Sequence, residues 1–495
     1  EVLFENDKAT QPDVLNSCIK TLIFKMKTKL TLLFLLLISS KIFSQSTLHV
    51  PADFATIQAA ITASQDGDTV LVQPGEYFEN LRFHGKSIVL TSRFHLTGSA
   101  GDIANTIING SQPAHPDTAS CILIIDGESP ATVVQGFTIT GGGGTKWLDE
   151  HGAGTYREGG GILTAFTSPT IQFNIIRNNS VTVTGSGVAS TGGGGMRCGD
   201  GSPVIRNNWI HNNEATGYGG GIVLNYCTGK VHNNVVSFNE GGLNFGGGGL
   251  WLNGENNATV VEVFNNTVVF NKSTGSGTYG GKGGGVFVFG IKMDSRNNIF
   301  WANTQSSGGV FAALLGGMIV AKYSDMQGGF TGTGNFDLDP LFADTLCFSL
   351  KPTSPAIDAG DPNDNDLNSN GLQPIFPGLC GLRSDAGATG GQWASVLPCG
   401  LEPTRLFSKI TEGALATTPA DSRSVNFVDV NNDGWDDIFI TNGPQAGAVN
   451  FLYLNDETGK FSAVTNGDIV SHAKPFDGAT FADADNDGDL DAYAV

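Results

Sequence analysis

The chain is predicted to be all-β: a coil of short, stacked parallel strands capped by a short helix, then a second β domain built on paired acidic loops. Three observations predict it. Five segments between Phe173 and Asn303 share one grammar of Asn and aliphatic columns. Runs of three or four glycines recur before an aliphatic residue. One acidic pattern occurs twice near the C-terminus, 54 residues apart. At 495 residues the chain is long enough for more than one domain. Gly is 69 of these, but without a three-residue period, which excludes collagen.

The columns justify the coil. FNIIRNN from Phe173, NNWIHNN from Asn207, NNVVSFN from Asn233, NNTVVFN from Asn265 and NNIFWAN from Asn297 align without gaps. They place Asn174, Asn208, Asn234, Asn266 and Asn298 in one column and Asn179, Asn213, Asn239, Asn271 and Asn303 in another. Between them lie Ile176, Ile210, Val236, Val268 and Phe300, preceded by Ile139 in GFTITGG, at spacings of 37, 34, 26, 32 and 32. A strand this short cannot bury one apolar side chain alone. Stacked on copies of itself at about 4.8 Å, it can. Asn suits the bends because it tolerates the left-handed region, and its amide can pair with the next Asn up the stack. A second strand is predicted at Val134, Ile171, Ile205, Val231 and Val263. A third follows the Gly runs, at Ile162, Met196, Ile222, Leu250 and Val286. Three strands per turn make a parallel β-helix. A propeller repeat of about 40–45 residues is too long for these spacings.

The N-terminus reads as an export signal. Met26, Lys27 and Lys29 precede the apolar run Leu30–Ile38, and Ser44–Gln45 is the expected cleavage point, so residues 26–44 are a signal peptide. Residues 1–25 are read as an upstream over-extension of the start site. A membrane span is not expected, because no later stretch is apolar enough. Lys+Arg is 27 against Asp+Glu 47, a net charge of −20, which argues against a nucleic-acid partner. There is no CxxC pair. Cys380 and Cys399 are the expected disulfide; Cys198 and Cys227 read as small buried apolar residues or a stack on successive repeats.

These columns resemble the right-handed parallel β-helix proteins of the pectate-lyase-like superfamily. The N-terminal stretch Val50 to Ile61, then Asp66-Gly67-Asp68-Thr69-Val70-Leu71-Val72, strengthens the resemblance. In that family a short amphipathic helix caps the coil, and Ile57, Ala60 and Ile61 fall on one helical face. The stretches Asp339–Phe342, Ser354–Gly360 and Asp385–Ala388 resemble the last coil of exported bacterial β-helix proteins. Residues 45–395 are therefore assigned to the β-helix.

The resemblance implies no single activity. The Asn-Thr-Asp, Asp-Asp, Gly-His-Gly and Arg-Ile-Lys series of polygalacturonases does not occur in order. The weak lyase candidates are Arg197 with Asp200, Arg206 with His232, and Arg177 with His211; Arg177, Arg206, His211 and His232 are expected on the solvated surface. The insertion Lys146–Glu158 is richer. Trp147, Asp149, Glu150, His151, Tyr156 and Arg157 supply acid, base and an aromatic face for a sugar, and they are the candidate substrate-binding residues.

From Leu401 the grammar changes. Asp429-Val430-Asn431-Asn432-Asp433-Gly434-Trp435-Asp436-Asp437 and Asp483-Ala484-Asp485-Asn486-Asp487-Gly488-Asp489-Leu490-Asp491 both read D-x-[DN]-x-D-G-x-x-D. Ca²⁺ takes 6–8 oxygen ligands at about 2.3–2.6 Å from such a tight loop. The expected ligands are Asp429, Asn431, Asp433 and Asp437, then Asp483, Asp485, Asp487 and Asp491, with backbone carbonyls at Trp435 and Asp489. Position twelve holds Ile440 and Ala494, which excludes an EF-hand. The loops resemble FG-GAP or VCBS repeats, the Ca²⁺-loop blades of integrin-α-type propellers. Residues 401–495 are read as a truncated set of them, with further blades expected beyond Val495.

The expectation is an extracellular or cell-surface monomer that binds a polysaccharide or cell-surface glycan or acts in adhesion, with Ca²⁺ in its C-terminal repeats. The alternative is a polysaccharide lyase or hydrolase acting on acidic glycans.

Overall fold

The computed structural model describes residues 45–182, 187–276, 278–306, 312–364, 383–394, 398, 414–433, 436–443, 448–456, 461–485, 487 and 490–495. The signal segment and the Cys380–Cys399 pair lie outside these. The chain divides into two compact units, one ending at Pro403 and one starting at Thr404.

The first unit is a parallel β-helix. Its first sheet has ten strands, from Thr47–Val50 to Met318–Lys322; its second has nine, from Gly75–Tyr77 to Asp325–Met326; its third has eight, from Leu81–Arg82 to Ala312–Leu315. The pairings in these sheets are parallel, and the columns read from the sequence are their registers. Ile139, Ile176, Ile210, Val236, Val268 and Phe300 stand one above another, as do Val134, Ile171, Ile205, Val231 and Val263. All belong to one continuous buried core. Each buried Val, Ile or Leu is worth about 1.5–3 kcal/mol, so no rung folds without its neighbours.

The coil departs from three strands per turn in its middle. After the second Asn column the chain stays extended for two residues, and these pair as a fourth, five-stranded parallel sheet from Ser180–Val181 to Thr304–Gln305. The glycines then turn the chain. Gly159, Gly193, Gly219, Gly247 and Gly283 have φ between 59° and 80°. A Cβ on the following Gly160 or Gly194 would sit 2.4–2.6 Å from a carbonyl oxygen of the next rung. Only Gly lets the rungs stack this closely.

Both Asn columns form the amide ladders expected, but the ladder residues are not the ones that take the left-handed bend. Asn208 Nδ2 donates to Asn234 Oδ1 at 3.0 Å, and the Asn208 backbone N–H donates to the same oxygen at 3.0 Å. Asn213 repeats both bonds with Asn239. The left-handed bend falls one residue earlier, on Phe173, Asn207, Asn233, Asn265 and Asn297 before the first ladder and on Asn178, Asn212, Phe238, Phe270 and Ala302 before the second. Conformational tolerance does not select Asn in the ladders; hydrogen bonding does, because only its amide meets the orphan backbone groups of both adjacent rungs.

The capping helix is Ile57–Ala63, with Ile57, Ala60 and Ile61 buried. Thr56 caps it by accepting from the Ala59 N–H, and the Glu79 carboxylate accepts from the N–H groups of Ile57 and Gln58. Beyond Asp325–Met326 a single bridge to Phe336 extends the second sheet. The stretch read as a last coil then folds back over that sheet's outer face. Phe348, Ala356, Ala386 and Ala388 pack on the outward Val235, Val269 and Ile299, which are too apolar to leave in water. Two residues expected on the surface are buried: His211, stacked on Trp209, is 6% exposed, and His232, against Phe264 and Trp393, is 3% exposed. Burial lowers both imidazole pKa values to about 4, with Arg177 adding to the effect at His211. Cys198 and Cys227 are free and buried, as are Cys121, and Cys347 is disulfide-bonded.

The second unit has a four-stranded antiparallel meander, Ser422–Val428, Asp437–Asn442, Phe451–Asn455 and Phe461–Ala463, and a separate hairpin of Ala479–Ala482 with Asp491–Ala494. Phe439, Leu452 and Val470 form its small core. No helix among the described residues is long and apolar enough to cross a membrane.

Candidate functional sites

The insertion Lys146–Glu158 is an antiparallel hairpin of Gly144–Leu148 with Thr155–Glu158, extended by Thr118–Ala119 on one edge and Ser190–Gly192 on the other. It closes over Arg197, which points outward from the third sheet yet is fully buried. The guanidinium meets both oxygens of Glu150 at 2.5 Å. Its Nε lies 3.1 Å from Glu158 Oε2, off the hydrogen-bond axis, and Asp149 stands 3.9 Å from Nη2. Tyr218 donates its hydroxyl to Glu158 Oε1 at 2.6 Å. Burial opposes the charge on Arg197, but Glu158 and Glu150 more than offset this and hold its pKa above the ordinary value. Burial raises the pKa of Glu158 even against Arg197. Gly199 makes room: a Cβ there would fall 2.0 Å from Arg197 Nη1.

The cluster absorbs most of the hairpin's chemistry. Glu150 and Asp149 are turned inward on Arg197, and Asp149 also accepts from Asn225. Arg157 donates to the carbonyls of Pro116 and Gly144 and pairs with Asp117. Tyr156 donates to the Ala153 carbonyl, and Trp147 is half-buried with its indole N–H enclosed. Of the six candidates His151 alone is exposed, stacked on Tyr226 at 3.6 Å and paired with Asp200 at 2.9 Å, while Trp147 and Tyr156 are half-buried. The hairpin thus presents one imidazole, not a set of acids and bases, to an approaching ligand.

A groove that sequence reasoning missed runs along the flank of the first sheet. It encloses about 390 Å³. Its floor is a column of outward side chains in register, Lys230 and Glu262, with Phe264 and Arg296 beside them. Trp393, 45% exposed, and Asp364 complete its lining. Lys230 pairs with Glu262 at 3.3 Å and Arg296 with Asp364 at 2.9 Å. Arg296 also lies 4.3 Å over the Phe264 ring, and Arg206 lies 5.1 Å from the Trp393 ring centre. The Asn-Asn doublets were the available signal. Their first members face this flank, and a second Asn column implies a second partner.

The two acidic loops are built alike. In the first, the Asp433 N–H donates to Asp429 Oδ1 at 3.1 Å and Asn431 Oδ1 at 3.2 Å, and the Val430 N–H donates to Asp437. In the second, the Asp487 N–H donates to Asp483 at 3.1 Å and Asp485 at 3.2 Å, and the Ala484 N–H donates to Asp491. Each loop joins two antiparallel strands, Val428 opposite Asp437 and Ala482 opposite Asp491. Carboxylate oxygens of Asp483, Asp485 and Asp491 lie within 4.8 Å of one another and are exposed. An all-oxygen donor set this compact fits a hard divalent cation. Asp437 differs from Asp491 in being fully buried, where it also accepts from the Asn455 N–H at 2.8 Å. Trp435 and Asp489, the expected carbonyl ligands, lie outside the described residues.

Residues 429–494 match the FG-GAP-like repeat. No curated protein matches the chain. Among solved structures, a mutant pectin methylesterase in complex with hexasaccharide IV shares 10% identity at a TM-score of 0.25, covering 58% of this chain and 90% of that one. A pectin methylesterase in complex with hexasaccharide VII shares 11% identity, also at 0.25, with the same coverage.

Proposed function

We propose that this is an exported extracellular or cell-surface protein that binds a glycan along the flank groove, and that its acidic loops hold Ca²⁺. The β-helix, in this reading, is a non-catalytic member of the pectate-lyase-like superfamily. The observation that carries the glycan reading is the lining of the groove: a half-exposed Trp393 shares a cavity of about 390 Å³ with Lys230, Glu262 and Arg296. A sugar ring offers a C–H face to stack on indole and hydroxyls to bond with fixed charges, and this groove supplies both. The cation would be held by Asp429, Asn431, Asp433 and Asp437, and by Asp483, Asp485, Asp487 and Asp491. It would neutralise carboxylates that otherwise repel.

The test is a screen of the protein against immobilised uronic-acid and neutral polysaccharides, scored for retention and for release of unsaturated or reducing ends. Retention without product is expected. Trp393→Ala should weaken it up to about tenfold, the worth of one aromatic stack. Retention unchanged by Trp393→Ala and by Arg296→Ala would overturn the groove, and loss on Trp147→Ala instead would return the site to the hairpin. The presence of Glu262 and Asp364 beside Lys230 and Arg296 favours the second reading, a lyase or hydrolase on acidic glycans. Product release abolished by Glu262→Gln or Asp364→Asn would establish it.

A further inference from the structure

The wall that carries Trp393 belongs to a segment distant in sequence from the coil it lies on. Residues 386–394 read Ala-Gly-Ala-Thr-Gly-Gly-Gln-Trp-Ala. Such a strap has little to bury beyond Ala386, Ala388 and Ala394, so its handles are mostly backbone groups, its carbonyls among them. A column of buried amides meets them. Asn265 Nδ2 donates to the Asp385 carbonyl at 3.0 Å, Asn233 Nδ2 to the carbonyls of Ala388 and Gly390 at 3.0 and 2.8 Å, and Asn207 Nδ2 to the Trp393 carbonyl at 3.1 Å. These asparagines hold φ of 50°, 53° and 52°, one residue before the ladder inside the coil. The same motif thus turns one amide outward and the next inward.

The track has a defined end. One rung beyond Asn207 the equivalent residue is Phe173, whose ring packs on Phe94 at 5.0 Å and offers no donor. Trp393 sits at the last rung with an amide. The orientation of Asn233 is also set. Its NH₂ faces two carbonyls, so its Oδ1 faces His232, and His232 donates Nδ1–H to it at 2.9 Å. That imidazole is itself stacked on Phe264 in the groove at 4.6 Å.

We infer that Asn207 and Asn233 are positioning residues for the glycan groove: their outward amides hold the strap so that Trp393 lines the same cavity as Arg296. The inference rests on the groove being the glycan site.

The test is the variant Asn207→Asp with Asn233→Asp in the full chain. Asp keeps the size and the tolerance of the left-handed region but has no donor, and it sets a carboxylate against a carbonyl. Hydrogen exchange reads the strap without any ligand, at the Gly387 and Ala388 amides that bond to Asn297 and Thr267 of the coil. Their exchange should quicken by about tenfold or more, one lost hydrogen bond or better, while the core strands keep their protection. Binding of hexameric polygalacturonate and xylan probes should fall at least as far as in Trp393→Ala. Asn207→Gln with Asn233→Gln, which restores the donors, should recover part of both. Unchanged strap exchange in the Asp variant would overturn the inference, as would a released strap with undiminished binding. Trp393→Ala binding both probes like the native protein, with strap exchange still raised in the Asp variant, would instead remove the groove as the glycan site and leave the Asn tether standing.

Discussion

Arg197 and Glu150 face each other through two parallel N–H···O contacts of 2.5 Å, one residue on the third sheet of the coil and the other at the turn of an inserted hairpin. Neither side chain reaches solvent: they are 0% and 1% exposed. The pair, with Glu158 behind it, ties the face of the hairpin to the coil beneath, beside the strand pairing at its edges.

Arg197→Met should therefore destabilise the first unit by about 3–5 kcal/mol, because Glu150 and Glu158 would be left buried without a counter-charge. Adding Glu150→Gln and Glu158→Gln should return much of that loss. Thermal unfolding of the single and the triple variant checks it; an Arg197→Met midpoint equal to the native one would show the cluster to be hydrated.

Asn208→Ala removes an amide bonded to Asn234 on one side and to the Ile171 carbonyl on the other. It should cost about 1–3 kcal/mol for each group left unsatisfied. Asn303→Ala, at the end of its column, should cost less, since it strips fewer neighbours. Denaturant midpoints for the two variants give the comparison, and equal midpoints would contradict cooperative stacking.

Ca²⁺ should raise the unfolding temperature of the second unit and leave the β-helix transition in place. A ligand that binds only the folded form adds about 2.7 kcal/mol at a hundredfold excess over its Kd. Asp433→Ala and Asp487→Ala should each remove one site's share, since each deletes the fifth-position carboxylate of its loop. Titration calorimetry showing no heat with Ca²⁺ would end the assignment.

Asp325 should make stability fall as pH rises. It ends the second sheet fully buried, one oxygen accepting from the Leu338 N–H and the other without a hydrogen-bond partner. Burial raises its pKa to about 7, with Asp337 and Asp339 adding to the effect. The folded value lies above the unfolded one, so its contribution is fully present below the ordinary carboxylate range and is lost as pH climbs through about 7. His211 and His232 act oppositely. Their folded values of about 4 lie below the unfolded one, so their contribution is lost as pH falls from about 6.5 toward 4. The wild-type profile mixes the two signs, and a difference isolates one. Asp325→Asn should stabilise by about 2–4 kcal/mol at pH 8, after allowance for solvent screening, and by little at pH 4. A gain independent of pH would mean that Asp325 is not titrating.

The sequence by itself determined what repeats. The inward aliphatic columns, both Asn ladders, the glycine turns, the capping helix and the twin acidic loops are each set by residues at one fixed place in a recurring unit. Stacking such units brings like residue over like residue, so the register follows from the spacing. The outward face carries no such rule, because what covers it comes from elsewhere in the chain. Tertiary structure alone decided that Arg197 lies beneath the hairpin, that His211 and His232 are buried, and that the presumed last coil folds back as a cover. It also brought Trp393 to Asn207, 186 residues away. Of a groove made by two segments so distant, the coil carries one periodic trace, the first Asn of each doublet, and the strap carries none. Only the closing of the strap over the coil creates the groove, because that is when an outward Asn column finds the carbonyls it was spaced to meet.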